Sequence, residues 1–157
     1  MDRLHKTNVA TDQEYRTRFK GFYRVRRNEE FCNLYFGLLE RNKTNKSFSF
    51  MDVLSELCPL GKLEASFSSK LIATINPEMP VWDTEVLKHM NGELEIDVHS
   101  EDRIQAAGAK YAAMINWYQM KVHSSEGKTI VAEFDRRFPA SGISDVKKID
   151  LVLWQTR

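Results

Sequence analysis

Two residues of this chain have the chemistry and the setting for nucleophilic or electrostatic work: Lys70, in Ser68-Ser69-Lys70, and Asp83, closing Pro80-Val81-Trp82-Asp83. A lysine inside an otherwise apolar helix is either a surface residue whose stem snorkels or a desolvated amine with a lowered pKa. The second kind is a nucleophile that forms Schiff bases. A fixed carboxylate stabilises positive charge that develops beside it in a transition state. Placed at the start of a helix, Asp83 is held rigid and ionised by the backbone N–H groups it caps. The plainer reading of Asp83 is an N-cap and nothing more. Trp82, just before it, can stack on a flat ring or belong to the core.

The elements around these residues read as helix, turn, helix, loop, helix. Pro59-Leu60-Gly61 breaks the chain, and a helix follows from about Glu64 to Ile75, with Phe67, Leu71, Ile72 and Ile75 on its apolar face. Asn76-Pro77 stops it, and Asp83 caps a helix from Thr84 to about Met90. Before this stretch, helices are expected over Asp12–Arg27, from an Asn28 cap through Leu39, and from a Ser49/Asp52 capping box to about Leu57. After it, a long helix runs from Ser100 or Glu101 to about His123, another covers about Lys128–Phe138, and Ser144 caps a last one through Trp154. Alanines and Gly108 in the long helix permit close packing. Strand alternation never persists, so the predicted fold is all-α. It is one compact domain of seven to eight helices over residues 12–157, behind a loose tail at 1–11.

Composition bounds the function. The 157 residues suffice for one real core, and 42% apolar and 29% charged residues are ordinary for a soluble protein. No apolar run is long enough for a transmembrane helix, and the N-terminus lacks the apolar core of a signal peptide. Cys32 and Cys58 sit among apolar residues and read as buried free thiols, which fits a cytoplasmic protein. His5, His89, His99 and His123 are scattered, so neither a metal site nor a cofactor is expected. No Walker loop, GxSxG or HExxH is present. The net charge of +1 is uneven: residues 1–46 hold eleven Lys and Arg against six Asp and Glu. There, Arg16, Arg18, Lys20, Arg24, Arg26 and Arg27 alternate with Tyr15, Phe19, Phe22 and Tyr23. A basic, aromatic face of this kind suits a phosphate backbone, and it is equally what a solvated helix over an aromatic core looks like.

The layout from residue 50 to 90 resembles the helix-hairpin-helix DNA glycosylase superfamily, most of all its 8-oxoguanine glycosylase-like branch. In that family a hairpin of the type LPGVG joins two short helices and grips a DNA phosphate through backbone amides. A loop reading roughly PVD then supplies an essential Asp that caps the next helix. Here the hairpin is Pro59-Leu60-Gly61-Lys62, the loop is Pro80-Val81-Trp82-Asp83, and Gly61 precedes Asp83 by a spacing that fits the family's first hairpin glycine. The resemblance implies Asp83 as the essential carboxylate, with Gly61, Lys62 and Trp82 against the substrate and double-stranded DNA as partner. Two departures are visible. Leu63 stands where the family has a second glycine, so the helix-hairpin-helix element is degenerate. The family's Schiff-base lysine would fall at Ala65; Lys70 lies five residues further, a rotation of about 140° on a helix.

Two functions follow. One is a base-excision DNA glycosylase, with lyase activity if Lys70 reaches the cleft of Asp83. The other is a non-catalytic DNA- or protein-binding module on the same fold, its binding surface completed by dimerisation if need be. The orientation of Lys70 relative to Asp83 separates them.

Overall fold

The structure is a computed structural model that describes residues 3–58, 63–90 and 102–155. Among these residues there are eight helices and no strand: α1 (Gln13–Tyr23), α2 (Glu29–Asn42), α3 (Phe50–Leu57), α4 (Ala65–Ile75), α5 (Thr84–His89), α6 (Arg103–His123), α7 (Ser125–Arg137) and α8 (Asp145–Gln155). The all-α architecture in one compact domain is as expected. Gly61 and Lys62 lie outside the described residues.

Most helices begin where a short polar side chain takes up an orphan backbone N–H. Asp12, Asn28 and Asp83 cap α1, α2 and α5, and Ser49 and Asp52 form the reciprocal capping box of α3. Ser144 Oγ accepts from Lys147 N at 3.1 Å and donates to Pro77 O at 2.6 Å, which ties the start of α8 to the loop after α4. Two starts differ from the sequence reading. Asp102, rather than Ser100 or Glu101, caps α6 by accepting from Ile104 N and Gln105 N. Ser124 caps α7, which begins a turn earlier than Lys128.

α1 ends at Tyr23 rather than Arg27. Arg24 adopts a left-handed conformation (φ 52°, ψ 43°), and the bonds Arg24 N to Gly21 O and Val25 N to Lys20 O close the helix as a Schellman motif. Glycine normally occupies this position, so an arginine there gives no sequence warning. Residues 3–11, expected as part of a loose tail, are packed. Leu4 and Val9 are buried, Val9 N donates to Glu40 Oε2, and Lys43 Nζ donates to Thr7 O. Two apolar anchors and two hydrogen bonds hold residues 3–11 against α2.

The core is continuous from the aromatic cluster of α1 and α2 to the α6–α8 layer. Phe19 packs on Tyr35 and Phe36 with ring centroids 5.7 and 5.4 Å apart. α4 is the central helix, with α3 on one side and α2 on another. Nine of its eleven residues are buried, Ser68, Ser69 and Lys70 among them. The polar interruption seen in the sequence is therefore inside the protein. Gly108 lets α6 approach α3, since a Cβ there would stand 2.6 Å from Met51 Sδ. α8 packs on α5, α6 and α7, and that places its inner face opposite α4 and the Asp83 loop.

Candidate functional site

A small cleft opens where α4, the loop before α5, α8 and the end of α1 converge. Its walls include Tyr23, Lys70, Asp83, Lys147 and Asp150, and Phe22 and Trp154 join them. The cavity volume is about 30 Å³, room for a water molecule or two. Lys70 and Asp83 thus face one space despite the helical offset counted from the sequence.

Each group is held by a different device. Lys70 is 8% exposed, and its Nζ donates to Ser66 Oγ at 2.8 Å, one turn back on the same helix. The ammonium lies 5.2 Å from the Phe67 ring centroid and 6.0 Å from that of Tyr23. Among the described residues it makes no ion pair. Burial lowers the Lys70 pKa, and Lys147 adds to that; Asp83 and Asp150 oppose it without restoring the ordinary value. Asp83 is half-buried and caps α5 through Glu85 N at 2.9 Å. The loop carrying it is anchored twice: Ser69 Oγ accepts from Trp82 N at 2.8 Å, and Tyr111 OH donates to Pro80 O at 2.8 Å. The serine next to Lys70 therefore sets the position of the residue next to Asp83.

Sequence reasoning missed the other half of the cleft. Lys147 and Asp150, one turn apart on α8, are 4% and 5% exposed and form an ion pair at 2.9 Å. The second Asp150 oxygen accepts from Tyr118 OH at 3.0 Å. Burial works to lower the Lys147 pKa, but the Asp150 carboxylate and the Tyr23 hydroxyl together outweigh it and hold the amine above its ordinary value. The Tyr118 hydroxyl is pushed far up, by burial first and then by Asp150. The Tyr23 hydroxyl is buried beside the Lys147 amine, and the Tyr23 ring lies 5.6 Å from Lys147 Nζ. A signal for the α8 pair did exist. In Asp145-Val-Lys-Lys-Ile-Asp150, positions 147 and 150 fall on the same side as Val146, Ile149 and Leu153, so two charges sit inside an apolar stripe.

The remaining sequence candidates lie elsewhere. Trp82 points away from the cleft. Its ring stacks on Phe50 (centroids 6.3 Å apart, planes 4° apart), and Lys110 Nζ lies 5.4 Å from its centroid. Much of the basic N-terminal segment is engaged within the fold. Arg16 is buried against Glu29, Asn33 and Phe36, Arg27 pairs with Glu64 over Phe31, and Arg24 lies over Trp154. Arg18 pairs with Glu14, and Lys20 with Glu29. Cys32 is buried and Cys58 half-buried, both as free thiols.

Among the described residues there is no group of three or more His, Cys, Asp or Glu placed to hold a metal ion, and no helix long and apolar enough to cross a membrane. The arrangement has the parts for amine chemistry: a buried lysine with a depressed pKa, a rigid carboxylate beside it, and a second lysine neutralised by its own carboxylate. No protein-family model, curated protein or solved structure matches the chain.

Proposed function

We propose that this protein acts on DNA as a base-excision glycosylase, with Lys70 as the amine nucleophile and Asp83 as the essential carboxylate. The observation that carries this reading is that Lys70 and Asp83 line one cleft in which Lys70 is buried with its pKa lowered. The neutral amine attacks C1′ of a deoxynucleotide, the N–C1′ bond forms, and the glycosidic bond breaks with its electron pair leaving on the base. Asp83 stabilises the positive charge that builds on the sugar. It then relays the surplus amine proton to the departing base. Opening of the C1′–O4′ bond, with the remaining N–H proton passing to O4′, gives the imine. Water hydrolyses the imine and returns the lysine.

The test is borohydride trapping on duplexes carrying 8-oxoguanine, uracil, an alkylated base or an abasic site. A covalent adduct is expected with one of these and none with Lys70→Ala. Asp83→Asn is expected to slow adduct formation by about 10²-fold or more. If no duplex is trapped or cleaved by the folded protein, the catalytic reading is wrong.

The cavity volume supports a second reading. About 30 Å³ is too little for a nucleobase unless Phe22 and Trp154 move aside. Phe22 is 47% exposed at the end of α1 and is the wall with most freedom to do so. A non-catalytic binding module needs no such movement. Under that reading Asp83→Asn leaves DNA or protein affinity unchanged, and a steep fall of affinity with salt identifies DNA as the partner.

A further inference from the structure

The cleft holds two buried lysines, and among the described residues only Lys147 has a carboxylate paired with it. Lys147 and Asp150 are joined at 2.9 Å, and Tyr118 OH closes the remaining side of the carboxylate at 3.0 Å. Both members of the pair line the same cleft as Lys70. The groups facing the Lys70 amine are therefore Tyr23 from α1, Asp83 from the loop before α5, Lys147 and Asp150 from α8, and Tyr118 from α6 acting through Asp150. With both lysines charged, the two cations and the two carboxylates balance.

We propose that Lys147 and Asp150 are positioning residues of the Lys70 site: the pair fixes the charge around the Lys70 amine and so the fraction of it free to attack carbon. This rests on the reading of Lys70 as the working amine. A lone carboxylate at Asp150 would hold Lys70 as an ammonium. Bringing in Lys147 cancels that pull and adds a like charge close by, inside a space where water screens little. Tyr118 keeps the carboxylate turned toward Lys147. The pair needs no contact with substrate to do this. It also explains why a charged pair is kept on the inner face of α8, where apolar residues of similar size would bury at less cost.

The sign of the effect differs for the two members, and that makes the inference testable. The measurement is competitive trace acetylation of the whole protein from neutral to alkaline pH, with Lys70 and Lys147 followed on separate peptides by mass spectrometry. Lys147→Met leaves Asp150 facing Lys70 alone and should move the Lys70 labelling midpoint up by about one pH unit, a tenfold loss of neutral amine at neutral pH. Asp150→Asn retains the shape and the Tyr118 contact but removes the negative charge, and should move the midpoint down. Lys147→Arg keeps the cation and should leave the midpoint where it is. Should Lys147→Met fail to fold, Asp150→Asn and Lys147→Arg still decide the matter. Folded variants that leave the Lys70 midpoint unmoved, or move it in the same direction for both charge changes, overturn the inference. The readout needs no DNA. Correct midpoint shifts without any trapped adduct would sink the glycosylase reading while leaving this one standing, and an adduct with unmoved midpoints would do the reverse.

Discussion

Lys70 and Lys147 share a cleft and are buried to a similar degree, yet their surroundings push them in opposite directions. Lys70, on α4, has a neutral hydroxyl and two aromatic rings as its nearest company. Lys147, on α8, has a carboxylate that is itself held by a tyrosine. Burial acts against the charged form of both. It prevails at Lys70, whereas Asp150 and Tyr23 together prevail at Lys147. What separates the two amines is therefore not burial but whether a carboxylate lies within bonding distance.

The largest effect expected from this contrast is on stability. Lys147→Met removes one partner of a buried ion pair and strands Asp150, at a cost of about 3–5 kcal/mol in chemical denaturation. Lys70→Met removes an amine that makes no ion pair among the described residues, and the variant should stay within about 1 kcal/mol of the parent or exceed it. Equal losses for the two would erase the contrast. Tyr118→Phe comes next. It takes one donor from the buried Asp150 carboxylate and should cost about 2 kcal/mol. Ser66→Ala removes the acceptor of the Lys70 amine and should cost about 1 kcal/mol, with a downward move of the Lys70 midpoint because the hydroxyl favours the ammonium.

The pH dependence of stability offers a finer test. Lys70 in the folded protein titrates below its ordinary value of 10.5. Between those two values the unfolded chain binds the extra proton, so the Lys70 contribution to stability rises with pH until it levels off near 10.5. Lys147 titrates above 10.5 when folded, so its contribution is full below that value and is lost as pH climbs through the folded one. Denaturation midpoints of wild type minus Lys70→Met should accordingly grow with alkaline pH up to about 10.5. The same difference against Lys147→Met should hold steady over that range and shrink above it. Parallel curves would show that the two amines do not differ as described.

How much of this was legible in the sequence depends on how local each feature is. Asn28, Ser49 with Asp52, Asp83 and Ser144 were all readable as caps, because a cap bonds a backbone N–H only two or three residues away. The end of α1 was not readable, because Arg24 takes a left-handed turn that composition does not announce. The offset between Ala65 and Lys70 suggested that Lys70 would miss Asp83. That count placed the cleft on the Ala65 side of the helix, whereas α4 is buried on nearly all sides and its Lys70 side faces the cleft with Asp83. Trp82 adjoins Asp83 in sequence, but adjacency along a loop does not bring two side chains together, and its ring lies on Phe50.

By itself, then, the sequence determined an all-α chain, where most of its helices begin, and the carboxylate that caps α5. Capping and apolar periodicity are settled within one or two turns of chain. Only the tertiary structure decided that α1, α4, the Asp83 loop and α8 bring two lysines and two carboxylates into one cleft. Whether a buried charge is tolerated, and in which protonation state, depends on partners tens of residues away, and the packing of helices is what selects those partners.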